Sequence, residues 1–108
     1  MAHPTVSVLA AVTMLAATAA AAAPLELELT NGTARDLEEI HVAVAGSGAF
    51  GADLLGESFL PANNTASLPL ADDANGCAYD LRFVFADGAP IEAAGLDLCS
   101  LGSHTITE

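Results

Sequence analysis

The sequence contains no lysine and no tryptophan, and its only arginines are Arg35 and Arg82. Fourteen acidic residues outweigh these two bases, so the formal net charge is −12. A chain with so little positive charge repels nucleic acid and anionic membrane surfaces. The composition therefore excludes these two partner classes, and it favours solubility or a cationic partner.

The sequence also lacks the motifs of common catalytic sites. There is no Gly-x-Ser-x-Gly elbow, no glycine-rich phosphate loop and no cysteine beside a plausible histidine base. A hydrolytic triad needs a nucleophile, a base and an orienting acid within hydrogen-bond reach. We therefore expect a protein that is not an enzyme and that needs no cofactor.

Charge is absent from the amino-terminal segment. Residues 1–23 contain no aspartate, glutamate, lysine or arginine and form an apolar, alanine-rich stretch that ends in a run of alanines. This pattern predicts a secretory signal peptide over residues 1–22, followed by one domain over 23–108. A retained anchor is the alternative, although the segment is short and weakly hydrophobic for a membrane span. We expect a periplasmic or secreted protein without a stable membrane span after processing.

Cysteine is scarce as well, and the two that occur are Cys77 and Cys99. A domain of this size buries a modest fraction of its surface and is marginally stable. In an oxidising compartment an even pair of cysteines indicates a disulfide. We therefore predict a Cys77–Cys99 disulfide.

The remaining chain alternates apolar and polar residues, which is the pattern of half-buried strands. Turn residues separate the alternating segments, and no long helical stretch occurs. The predicted strands cover 25–30, 39–45, 65–70, 77–86, 89–99 and 103–107. Pro69 favours an edge strand, Asp87-Gly88 a hairpin and Gly95 a bulge. The predicted fold is a small all-β antiparallel sandwich of six or seven strands with Greek-key connections.

The segment GCAYDLRFVFADG (76–88) contains the predicted strand 77–86 with its flanking turns, and it holds most of the aromatic residues. Its alternation predicts a buried ridge on one face, formed by Tyr79, Leu81, Phe83 and Phe85. Asp80 and Arg82 then face outward, and Arg82 pairs with Glu28 if those strands are neighbours.

Four segments together resemble a family of small secreted bacterial proteins of unknown function. They are LELELTNGT (25–33), FGADLLG (50–56), CAYDLRFVFADG (77–88) and GLDLC (95–99). The resemblance implies an exported domain with paired cysteines and no known catalytic residues. Some relatives carry an argininosuccinate lyase label, but that enzyme needs a long helical chain, which this sequence does not provide.

One candidate partner surface lies on the predicted strand 39–45 and in the loop that follows it. His41, Ala43 and Ala45 face away from Ile40, and their small side chains allow a partner to approach closely. Phe50 in the loop FGADLLG is a candidate anchor for that partner. The alternative for Phe50 is a core residue that caps one end of the sandwich.

A second candidate site is an acidic turn. Asp72, Asp73 and Asn75 precede Gly76 and resemble part of a calcium loop, which Asp53 or Glu57 could complete. A polar turn between strands accounts for the same residues. The sequence thus predicts a non-enzymatic interaction or structural module with an unknown protein partner in the envelope or outside the cell, and a calcium- or ligand-binding module as the alternative.

Overall fold

The computed structural model describes residues 23–108, and the predicted signal peptide at 1–22 lies outside the described residues. The described part contains one short 3-10 turn, Asp73–Asn75, and no helix with the length and apolarity needed to cross a membrane. Its strands are β1 (Pro24–Asn31), β2 (Leu37–Val44), β3 (Thr65–Asp72), β4 (Ala78–Phe85), β5 (Pro90–Asp97) and β6 (Ser103–Ile106).

The strands form two three-stranded sheets, in the orders β3-β1-β6 and β2-β4-β5. Apolar side chains from both sheets meet in a single core, so the two layers form a sandwich. The largest fully buried apolar side chains of this core are Leu27, Leu29, Leu37, Ile40, Leu81, Phe83, Phe85 and Ile106. The predicted all-β sandwich is confirmed.

The connections differ from the prediction in two ways. β6 pairs with β1 in parallel, so one sheet is mixed rather than antiparallel. The hairpin between β4 and β5 is the one place in the described chain where consecutive strands pair; the other connections pass from one sheet to the other. A Greek key needs three successive hairpin-connected strands, so the strand order is interleaved instead.

The alternation of apolar and polar residues places the buried side chains on the faces that the sequence predicted. In β1, Leu25, Leu27 and Leu29 are buried, while the glutamates between them are exposed. In β4, every second side chain is buried against the opposite sheet, which confirms the predicted ridge of Tyr79, Leu81, Phe83 and Phe85. β4 also lies in the centre of its sheet, which explains why it carries so many large apolar side chains.

Pro69 and Gly95 lie where their backbone properties require. Pro69 is in β3, an edge strand, where a missing N–H does not break a ladder on both sides. Gly95 has a φ of 66° at the point where the register of β5 shifts against β4. The bulge is fastened by Asp80, whose carboxylate accepts hydrogen bonds from the N–H groups of Gly95 at 2.8 Å and Gly46 at 3.0 Å. These bonds, that of Gly46 foremost, hold the pKa of Asp80 below its usual range.

The predicted disulfide is present between Cys77 and Cys99. It joins the residue before β4 to the turn after β5, next to a backbone bond from Leu98 N to Cys77 O of 2.9 Å. Both described cysteines are used. The disulfide is compatible with an oxidising, exported location.

Gly32 allows the end of β6 to pack against the end of β1. A Cβ atom at Gly32 would lie 2.6 Å from Ile106 O and 2.9 Å from Thr105 Cγ2. Gly32→Ala must therefore displace the parallel β1–β6 pair, and we expect it to lower the free energy of unfolding by about 1–3 kcal/mol. Urea denaturation of the purified protein measures this loss.

Gly102→Ala is the matched control for Gly32→Ala. Gly102 precedes β6 at its other end, and a Cβ atom there would meet no heavy atom within 4 Å. We expect a change within about 0.5 kcal/mol. Equal losses for the two variants would contradict the close approach at Gly32.

Candidate functional site

The segment that follows β2 runs back along the free edge of that strand. Gly51 N donates to Val42 O at 3.0 Å, and Leu54 N donates to Ile40 O at 2.9 Å. Further along, Leu37 and Leu60 exchange two backbone hydrogen bonds of 2.9 and 2.8 Å. The covered edge cannot pair with a further strand, and the segment is held in a defined position.

Asp53 fixes the middle of this segment. Its Oδ1 accepts hydrogen bonds from Ile40 N at 3.0 Å and from Leu55 N at 2.9 Å. The Asp53 carboxylate thus connects β2 to the covering segment. Glu57 and Phe59 follow a few residues later on the same segment.

An open cleft of about 470 Å³ lies between the start of β2 and the covering segment. We call it the acidic cleft, because five carboxylates line it and no basic side chain does. Its lining residues are Asp36, Glu38, Glu39, Asp53, Gly56, Glu57, Ser58 and Phe59. Negative charges gathered in a concave surface attract cations more strongly than the same charges spread over a flat one.

One large apolar side chain, that of Phe59, is exposed at the acidic cleft. Phe59 is 58% exposed, the most of any large hydrophobic residue in the described chain, and Leu54 on the same segment is 40% exposed. The face of an aromatic ring attracts ammonium and guanidinium groups. The acidic cleft therefore offers a cationic side chain both carboxylates and an aromatic surface.

No three carboxylates of the acidic cleft have oxygen atoms within 4.8 Å of one another in the described part of the chain. Within residues 23–108, the one group of three potential metal ligands whose atoms lie within 4.8 Å of one another is Cys77, Asp97 and Cys99. The two sulfur atoms of that group are joined in the disulfide, so they are not free thiolates. The geometry of the acidic cleft thus suits several separate cationic groups better than one metal ion.

The calcium site predicted at Asp72, Asp73 and Asn75 corresponds to the 3-10 turn and its cap. Asp72 Oδ1 accepts a hydrogen bond from Ala74 N at 3.0 Å, and Asp73 Oδ1 accepts one from Ala23 N at 2.8 Å. The first bond is that of a polar turn, and the second ties the turn to the residue before β1. Asp53 and Glu57, the predicted additional ligands, line the acidic cleft instead.

The predicted partner surface around His41 is covered in part. Ala43 pairs with Asp80 on the outer face of the sheet, yet it is only 3% exposed. His41 is half-buried, its Nδ1 lies 2.8 Å from Gly51 O, and its Nε2 lies 3.4 Å from Glu39. The structure therefore corrects the expectation of an open face at His41 and Ala43, whereas Ala45 keeps partial exposure.

Phe50 lies outside the sandwich, on the outer face of the sheet. The guanidinium of Arg82 lies 4.1 Å from the centre of its ring, and Phe50 is half-buried. This position differs from the predicted cap on one end of the core.

Arg82 in turn binds Glu92 on β5, with Nε and Nη2 each 2.7 Å from Oε1. The predicted pair with Glu28 is therefore wrong, because Glu28 lies in the other sheet.

The other arginine is engaged in a similar way. Arg35 donates to Asp87 and to Glu108, each at 2.7 Å, and its guanidinium lies 4.2 Å from the ring centre of Phe85. A hydrogen bond from Ala89 N and the neighbouring Arg35 hold the pKa of Asp87 below its usual range. Both arginines are thus bound to carboxylates within the domain, and neither lines the acidic cleft.

Five members of the acidic cleft were not predicted from the sequence: Asp36, Glu38, Glu39, Ser58 and Phe59. The signals were the run DLEE (36–39) and an aromatic residue within a loop of acidic and small residues, GESF (56–59). Neither signal shows that the two segments meet. They meet because Leu60 bonds to Leu37.

Comparison with protein-family models, with curated proteins and with solved structures finds no match for this chain. The resemblance noted in the sequence therefore stays a prediction.

Proposed function

We propose that this protein is an exported, non-enzymatic interaction module whose acidic cleft binds a cationic segment of another protein. Periplasmic or extracellular placement belongs to this proposal. The uncharged, alanine-rich residues 1–22 and the Cys77–Cys99 disulfide support it.

The composition of the acidic cleft is the main observation that supports binding of a cationic segment. Five carboxylates line the cleft together with the exposed Phe59, and neither arginine of the chain lies there. A segment rich in arginine or lysine satisfies the carboxylates, and one of its cationic groups can stack on Phe59. Such an interface is expected to associate quickly and to weaken as salt concentration rises.

Binding of a blocked peptide of alternating arginine and glycine tests the proposal. We expect amide signals of residues 53–59 to shift on titration in NMR spectra, and the peptide with glutamate in place of arginine to cause no shift. Glu38→Gln combined with Glu57→Gln should weaken binding about tenfold, since two partly screened ion pairs of up to about 1 kcal/mol each are lost. Asp53 is left intact because its carboxylate holds the backbone.

Glu26→Gln combined with Glu28→Gln is the matched control. These glutamates are exposed on β1, in the other sheet, and their replacement changes the net charge by the same amount. We expect the control to keep the affinity within about twofold. Equal weakening by both pairs of substitutions would show attraction to net charge alone and would refute binding at the acidic cleft.

A further inference from the structure

The side of the sandwich between the edge strands β5 and β6 contains a second, smaller cavity. Its volume is about 170 Å³, and the fully buried ring of Phe83 from β4 forms part of its wall. β5 contributes Ile91, Glu92 and Ala93, and β6 and the residue after it contribute His104, Thr105, Ile106 and Thr107. β5 and β6 belong to different sheets and share no backbone ladder, so side chains fill the space between them here.

His104 is the side chain that spans this opening. Its Cα pairs with that of Leu29, whose side chain is fully buried, and the His104 side chain is half-buried. The imidazole ring stacks on Phe83 of the opposite sheet, with ring centres 6.1 Å apart and planes 12° from parallel. A single titratable ring thus connects β6 to β4 across the edge of the core.

Among the described residues, no free carboxylate lines the cavity beside His104. Among the described residues that line the cavity, Glu92 is the one charged side chain, and Arg82 of β4 already binds it at 2.7 Å. On β1, the neighbouring strand, Glu26 and Glu28 are exposed and alternate with buried leucines, so they point away from the core. Burial holds the pKa of His104 below its usual range.

We propose that His104 is an acid-sensitive plug: protonation of its ring withdraws it from Phe83 and opens the sandwich between β5 and β6. A charged imidazole is hydrated better in open solvent than beside Phe83, where the one carboxylate of the cavity is already bound by Arg82. The ring gains hydration by moving outward, which removes the contact of β6 with Phe83 of the opposite sheet. The opened state exposes the small cavity, and this response is independent of the acidic cleft.

The sign of the effect follows from the lowered pKa of His104. A histidine whose pKa is lowered in the closed state binds fewer protons there than in an open or unfolded state. The stabilisation from His104 is therefore complete above the ordinary histidine pKa of about 6.5 and is lost as the pH falls through the folded value.

Urea denaturation near pH 7.5 and near pH 5 tests the plug, with His104→Gln and His104→Phe beside the wild type. Many carboxylates also respond to pH, so the comparison is the difference between wild type and variant at each pH. We expect acidification to raise the unfolding constant of the wild type a few-fold relative to either variant, because the open and unfolded states bind a proton at His104 more tightly than the closed state does. If the difference in unfolding free energy between the wild type and both variants did not depend on pH, the proposal would be overturned. His104→Phe keeps an aromatic ring on Phe83, so it tests the plug even where glutamine packs poorly.

Amide hydrogen exchange distinguishes local opening from general loss of stability. After correction for intrinsic rates, we expect protection of Thr105 and Ile106 in β6 to fall on acidification more than that of Leu81 and Phe83 in β4. The same difference should persist in His41→Gln, which removes the other described histidine but leaves His104. Uniform loss of protection across both sheets, or a difference that His41→Gln abolishes, would refute the plug.

Discussion

Asn31→Asp is expected to lower the free energy of unfolding by about 3–5 kcal/mol, although the two side chains have nearly the same shape. Asn31 lies at the end of β1 and is 0% exposed. Its Nδ2 donates to Arg35 O at 2.7 Å and to Leu60 O at 3.0 Å, and its Oδ1 accepts from Thr33 N and Thr33 Oγ1. Aspartate replaces the donor with an oxygen that faces two carbonyl oxygens, and it adds a buried charge.

Urea denaturation at neutral pH measures the loss for Asn31→Asp. Asn63→Asp is the matched control, because Asn63 is exposed and aspartate tolerates its left-handed φ of 62°. We expect the control to change stability by less than about 0.5 kcal/mol. On acidification the carboxyl group introduced by Asn31→Asp gains a proton and can donate to one carbonyl, so the loss of unfolding free energy should shrink. A small loss at neutral pH would contradict the proposed role of Asn31.

Asn31 also connects the core to the acidic cleft. Its amide binds the carbonyl oxygens of Arg35 and Leu60. Arg35 is followed by Asp36, and Leu60 is preceded by Phe59, and both of these neighbours line the cleft. The side chain that ends β1 therefore sets the distance between the two segments that line the cleft. We accordingly expect the cleft to lose its shape when the Asn31 hydrogen bonds are lost.

The strands and their buried faces could be predicted because alternation is a local property. In β1 and β4 each side chain's burial follows from its own position in a period of two, whatever the neighbouring strands are. Strand pairing is not local. The parallel pair of β1 with β6 depends on Gly32, which permits a close approach to Ile106, a residue far away in the sequence.

The candidate site was harder to predict from the sequence, because loops cover or expose strand faces and the sequence of a loop has no periodic pattern that shows which face it covers. Ala43 has the outward position predicted for it, yet it is buried, while Val44, which shares a face with Ile40, is 39% exposed. The acidic cleft depends on the backbone exchange between Leu37 and Leu60. No residue type marks such a contact, so the composition showed that the domain is acidic but not where its carboxylates gather.

Removal of the disulfide by Cys77→Ser and Cys99→Ser together is expected to lower the free energy of unfolding by about 3 kcal/mol. The cysteines are 22 residues apart, and the bond restricts the unfolded chain over that loop. The folded hairpin should persist without it, because β4 and β5 are paired along their length and Leu98 N still donates to Cys77 O. The loss therefore comes from the unfolded state more than from broken native contacts.

Urea denaturation of three samples tests this account: the oxidised wild type, the reduced wild type and the double serine variant. The two samples without the bond should unfold at the same urea concentration, well below that of the oxidised protein. Their dependence on urea should also be steeper, since an unfolded chain without the cross-link exposes more surface. Equal midpoints for oxidised and reduced wild type would contradict the stabilising role of the bond.

Small domains have only about 5–15 kcal/mol of stability, so a loss of this size removes a large fraction of it. An acidic domain of this kind accordingly gains most from its disulfide in an oxidising compartment, where the cross-link offsets repulsion among the unpaired carboxylates.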